Sequence, residues 1–154
     1  MKDCVKIRGF MRGQLIDSKS GKVVGDTGWD SNKLTNYGLT QLALLLAGGG
    51  GVAVGYASLG TQTASINMTA TNISAENSFQ AISTSTSGTC TAQFTCSFAG
   101  ANNSAALTIG SFGLFKTNSV GSLIAARTYT SSQMTTAQNF NVTHQIQFAT
   151  STES

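Results

Sequence analysis

The chain has no proline, one histidine and one tryptophan, and only 10% of its 154 residues are charged. Globular domains average about 25% charged residues, so the charge deficit is a strong departure in composition. Disorder needs the opposite balance, high charge with few apolar residues, and 40% of this chain is hydrophobic. A single histidine, His144, leaves no basis for a multi-histidine metal site. The missing prolines leave sheet edges without one common guard against stray pairing. Cysteine is scarce as well. Cys90 and Cys96 lie in one alternating run, about 20 Å apart along a single strand, beyond disulfide reach. Cys4 reaches either of them only if the fold brings it there. No CxxC or Cys/His spacing points to zinc, and the cysteines read as small buried hydrophobes.

The charge that is present is concentrated. Seven of the nine basic residues (Lys2, Lys6, Arg8, Arg12, Lys19, Lys22 and Lys33) precede residue 34, together with four of the six acids. The rest of the surface must be built from Ser, Thr, Asn, Gln and Gly. Free monomers usually stay dispersed by mixed surface charge, so such a surface suits lasting contact with neighbouring subunits or an extracellular setting; a neutral soluble domain is the alternative. A net charge of +3 is too small to imply nucleic acid. The early basic residues alternate as on a strand, which makes them a solvated face or a contact for an acidic neighbour. No apolar stretch near the amino terminus resembles a secretory signal. Residues 39–59 are uncharged and long enough for a bilayer, but Gly48, Gly49, Gly50 and Gly51 interrupt them, so no membrane span is expected.

A chain of 154 residues suits one domain that buries roughly 70% of its unfolded surface without staples. Residues 4–16 alternate as a half-buried strand, with Gly9 and Gly13 as sites for a bend or bulge. Turn residues 17–21 then predict a hairpin into Lys22, Val23 and Val24. Thr35 or Asn36 caps a helix whose apolar residues include Leu39, Leu42, Leu45 and Leu46, and Gly48 ends it. Residues 52–59 form an apolar run suited to a central strand, and 60–78 a long surface excursion anchored by Ile66, Met68 and Ile73. Cys90, Ala92, Phe94, Cys96 and Phe98 mark the clearest strand. A turn at 100–104, strands at 107–115 and 123–130, and a closing strand follow, the last with Phe140, Val142, His144, Ile146 and Phe148 on one face. The expected fold is mainly β, an antiparallel β-sandwich or jelly-roll-like barrel with one short helix near residues 36–47. It forms a single domain over residues 1–154, of which 1–33 are a charged amino-terminal hairpin or arm.

Little in the sequence points to catalysis. His144 on an apolar strand face reads as a buried, hydrogen-bonded histidine, since a base or metal ligand needs partners. There is no Gly-x-Ser-x-Gly elbow, and paired carboxylates would have to combine Glu76 with an early aspartate. Asp17, Asp26 and Asp30 do not follow a calcium-loop spacing. The glycine run trails a helix and is not followed by Lys-Ser/Thr, so it is no phosphate cradle. Asn67, Asn72, Asn102 and Asn141 match Asn-x-Ser/Thr, as chance provides in so Ser/Thr-rich a chain. No catalytic residue, metal or cofactor is assigned, and a hydrolase reading lacks a convergent acid/base set.

Three stretches together resemble a pattern of small virion structural proteins of tailed bacteriophages. They are Asn32-Lys-Leu-Thr-Asn-Tyr-Gly-Leu-Thr-Gln-Leu-Ala43, Ala57-Ser-Leu-Gly-Thr-Gln-Thr63, and the series Ile109-Gly-Ser-Phe-Gly-Leu-Phe115, Gly121-Ser-Leu-Ile-Ala-Ala-Arg127 and Phe140-Asn-Val-Thr-His-Gln-Ile-Gln-Phe148. Ser111 stands where an acid is frequent in that pattern, and His144 where an aromatic is frequent. The resemblance implies a non-enzymatic virion component, located in the virion after assembly in the host cytoplasm. A capsid decoration or cement protein is the expected role, with a tail-fibre or baseplate adhesin as the alternative. Expected partners are further copies of itself, as a trimer, and the major capsid protein or other virion proteins, with no nucleic acid and no membrane. Lys6, Arg8, Arg12, Lys19 and Lys22 are the candidate assembly contacts. Trp29 and Tyr56 are the candidate exposed aromatics, for example for stacking on a sugar, with packing as the other role for Trp29.

Overall fold

Alternation of apolar and polar residues at the two chain ends produces two long strands that pair with each other. The computed structural model describes residues 2–49, 53–74, 77–86 and 90–153. Strand β1 (Lys2–Asp17) runs antiparallel to the last strand, β11 (Gln138–Glu153), in one unbroken register from Lys2↔Glu153 to Asp17↔Gln138. Four further strands complete the first sheet: β2 (Val23–Asp26), β3 (Asp30–Ser31), β7 (Ser83–Thr86) and β8 (Thr91–Ala99) join β1 and β11 in the order β2-β1-β11-β8-β7, with β3 also on β1. The second sheet has the order β4-β10-β9-β5-β6, from β4 (Lys33–Leu34), β5 (Tyr56–Gly60), β6 (Asn77–Ala81), β9 (Leu107–Phe115) and β10 (Leu123–Met134). All pairings are antiparallel, and the two sheets pack as a sandwich-like fold.

The two sheets differ in how their strands read. In the first, one face meets the core and the other meets solvent, so alternation is clean. Cross-strand rows Met11–His144–Phe94 and Leu15–Phe140–Phe98 lie on the buried face. In the second sheet β9 is buried from Ile109 to Phe115 without a break, because both faces are covered. Phe112 and Leu114 belong to the core cluster that also holds Phe140 and Ile146, while Phe115, Leu123 and Ala126 form a second cluster with Ile66 and Ile73 from the loop after β5. That loop is the expected surface excursion, though Met68 stays exposed and gives no anchor. The chain changes sheets between β6 and β7, where the Ile82 amide donates to the Gly55 carbonyl.

Gly9 and Gly13 open no bulge against β11, since the β1–β11 register passes through both unbroken. They make room instead: a Cβ at Gly9 would fall on the Asn32 side chain, and one at Gly13 on the Phe140 ring. The register shift lies on the other side of β1, against β2, between Leu15 and Ile16. Residues 1–33 include the expected hairpin, and β1 is an inner strand of the first sheet with Met11 fully buried. Gly50, Gly51, Val52 and Glu76 lie outside the described residues, as do the side chains of Cys4 and Glu153.

Helix α1 (Asn36–Leu46) starts where expected. The Thr35 hydroxyl accepts from the Gly38 amide at 3.0 Å and donates to the Leu123 carbonyl, so one side chain both caps the helix and ties it to β10. Gly48, at φ 65°, ends it, with the Gly49 amide returning to the Leu44 carbonyl at 2.9 Å. The face on the sheet is carried by Gly38 and Gln41; Leu45 and Leu46 point outward, Leu46 with 82% of its surface exposed. Gly38 allows this close seat, because a Cβ there would stand 2.3 Å from the Ile124 carbonyl oxygen. Alanine in a helix ordinarily gains about 1 kcal/mol over glycine. Here Gly38→Ala is expected to lose about 1–3 kcal/mol in urea unfolding, since the clash is with backbone.

Candidate functional site

The groups able to carry chemistry are dispersed. His144 is fully buried between Met11 and Phe94, and its ring meets Phe112 edge-on at 6.0 Å. The expected hydrogen bond is absent: neither ring nitrogen has a partner, and burial holds its pKa down at about 3. A neutral imidazole walled by apolar side chains serves as a core residue. Cys96 is buried, its thiol pushed up to about 11 by desolvation, whereas Cys90 departs from the expected burial and is exposed in a left-handed turn at φ 63°. Among the described residues no group of three His, Cys, Asp or Glu could hold a metal ion. Asp17 accepts from the amides of Lys19 and Ser20 and closes the hairpin turn. Asp26 takes both ends of the Arg12 guanidinium together with the Gln14 amide and the Gly28 N–H, which keep its carboxyl well below the usual range.

The five candidate basic contacts divide into two groups. Lys6, Arg8 and Arg12 share the solvent face of β1, and Arg12 is committed to Asp26. Lys19 and Lys22 belong to the hairpin turn and the segment after it, at the far end of β1 and about 35–40 Å from Lys6 at a strand rise of about 3.3 Å per residue. Beside the first group the sheet face is uncharged and, apart from Phe10, polar. Rows Arg8–Gln147–Thr91, Phe10–Gln145–Gln93 and Gln14–Asn141–Ser97 cross it, with Gln145 donating to Gln93 at 2.9 Å and Ser97 to Asn141 at 2.7 Å. Of the two candidate aromatics, Trp29 is 45% exposed, while Tyr56 is half-buried against the second core cluster.

The amino-terminal half of β1 is also an open edge. Gly9 and Gly13 accept from Asn32 and Thr27 on the side away from β11, both at 2.9 Å. By the two-residue alternation Val5 and Ile7 direct their N–H and C=O groups the same way, and no strand faces them among the described residues. On the far side, the β8 ladder among the described residues ends at Gln147↔Thr91, with a further bond from the Phe148 amide to the Cys90 carbonyl. Among the described residues, the outer parts of β1 and β11 therefore form a two-stranded ribbon, on which Val5 is 70% exposed.

A separate cavity of about 470 Å³ opens between the sheets, beside the loop after β2. Arg127 lines it, a lone charge at the end of the apolar run that begins β10. Its Nη1 donates to the carbonyls of Met11 and Gly28, both at 2.9 Å, and Asp30 stands 3.5 Å from Nη2. Sequence reasoning gave Arg127 no role, although a charge inside a central-strand pattern was the available signal. Compared with known proteins, the chain matches no family model, no curated protein and no solved structure.

His144 makes stability depend on pH. The unfolded chain takes up a proton near pH 6.5 that the native state excludes until about pH 3, so stability is lost as pH falls through this window. Between pH 6.5 and 4.5 the wild type should lose about 2 kcal/mol more than His144→Phe in urea titrations. Equal slopes would mean that the buried imidazole finds a proton-accepting partner.

Proposed function

We propose that the chain is a non-enzymatic structural subunit of a tailed-bacteriophage particle, acting as a capsid decoration or cement protein. The observation that carries the reading is the edge of the terminal ribbon, where no strand among the described residues faces Val5 and Ile7, Val5 is exposed, and Lys6 and Arg8 lie beside it. Natural sheet edges left long and open are a liability unless something covers them. Strand addition from a neighbouring subunit satisfies those groups, and the flanking cations select an acidic surface. The partners on this reading are the major capsid protein and further copies of the chain, as a trimer. The scarcity of charge elsewhere supports the same reading, since interface cores are depleted in charged residues. The three exposed leucines of the last helix turn, Leu44, Leu45 and Leu46, are a second patch suited to burial in an assembly.

A second reading, a tail-tip adhesin, is favoured by the exposed Trp29 and the nearby cavity. Quantitative mass spectrometry of purified particles separates the two. A copy number comparable to the shell protein is expected; a handful of copies would move the chain to the tail, and none would overturn the virion reading. Deleting residues 1–33 is not a useful test, because it removes the inner strand β1. Lys6→Glu combined with Arg8→Glu leaves the core intact, both residues being exposed. That variant is expected to lose attachment to particles by about tenfold or more, with an unchanged urea midpoint.

A further inference from the structure

The guanidinium of Arg127 is used on one side and idle on the other. Arg127 is 9% exposed, and its plane is fixed by Nη1, which reaches the carbonyls of Met11 and Gly28 and, at 3.3 Å, the Thr27 hydroxyl. Nε is buried without a partner, and the contact recorded for Nη2 is Asp30 at 3.5 Å, beyond a hydrogen bond of ordinary length. The Nε–Nη2 edge is the pair of parallel donors with which arginine takes a planar carboxylate. Asp30 does not complete that pairing. One of its oxygens accepts from the Ser31 amide at 2.8 Å, and its side chain is 66% exposed, so it is held loosely at the mouth of the site.

The remaining wall of the cavity is aromatic and hydroxylated. The Tyr129 and Phe140 rings lie within 9° of parallel, with centroids 6.4 Å apart. Thr128, Thr130 and Ser132 line the same space, where β10 departs from its register with β9 between Thr128 and Ser132. Bulges of this kind re-aim side chains next to binding sites. A volume of about 470 Å³ is that of a small-ligand pocket. Asp26, on the rim, is neutralised by Arg12 and so does not repel an anion. An apolar ring wall, hydroxyl groups and one anchored cation, its Nε unpartnered and its Nη2 held only by the loose Asp30 pair, together suit a carboxylate carried on a hydroxylated ring.

We propose that this cavity binds a carboxylated monosaccharide, with the Nε–Nη2 edge of Arg127 taking the carboxylate and Asp30 serving as its displaceable internal stand-in. The site is independent of the assembly reading and is compatible with either location in a particle. The test is a ¹H–¹⁵N titration of the full chain that follows the Arg127 Nε–H signal. Methyl glucuronide is the probe, with methyl glucoside and acetate as its comparisons. Glucuronide should shift the Nε–H signal saturably, glucoside should not, and acetate should act much more weakly. Asp30→Asn, an exposed substitution, should tighten glucuronide binding by about threefold, the worth of an exposed ion pair. No Nε–H shift with glucuronide, or an equal response to glucoside, would overturn the proposal. Acetate binding as tightly as glucuronide would overturn the sugar assignment, and unchanged affinity in Asp30→Asn would overturn the role of Asp30.

Discussion

The pairing of β1 with β11 is the interaction on which the rest of the molecule depends. It joins the first strand of the chain to the last through a continuous register, Lys2↔Glu153 to Asp17↔Gln138. It places Met11 beside His144 and Leu15 beside Phe140, and so fixes the buried face of the first sheet. It also presents the Met11 carbonyl to Arg127 across the sandwich, which anchors that guanidinium. Because the pairing is almost maximally non-local, the closing entropy must be met before the contacts form, and folding is expected to be slow for the chain's size.

The sequence was most readable where one side of a strand is wet. Strands β1, β8 and β11 alternate because their outer faces carry Gln, Thr and Arg, and each could be read as a strand from that pattern, though not its partners. The helix was readable from Thr35 and Gly48, whose side chain and positive φ cap its two ends. In the second sheet, burial on both faces erases the alternation, so β9 could be recognised as a strand but not assigned a face. The passage of one segment through both sheets at Ile82 leaves no local signature. Nor does the use of Gly9 and Gly13 as space for Asn32 and Phe140, since the residues that need the space are distant in sequence.

The candidate sites were less legible than the fold. Five basic residues looked like one patch because they are close in sequence, yet the length of β1 separates Lys6 from Lys19 and Lys22. Tyr56 was a candidate exposed aromatic, but β5 is an inner strand and turns it onto the second cluster. Arg127 is a charge at the end of an apolar run, a signal left unused in the sequence, and its setting depends on carbonyls supplied by β1 and by the loop at Gly28. Backbone acceptors of this kind have no residue type to reveal them. His144 was correctly read as buried; that its nitrogens lack partners depends on which side chains surround it, here Phe112, Met11 and Phe94.

The surface combines an open backbone edge, few charges and exposed leucines, features that a free monomer usually avoids and an assembled subunit covers. On the proposed reading, a neighbouring subunit completes the ribbon edge at Val5 and Ile7. Hydrogen–deuterium exchange at those two amides, compared between the free chain and purified particles, tests it most directly. The account predicts rapid exchange in the free chain and strong protection in the particle. Equal exchange in both states would contradict it.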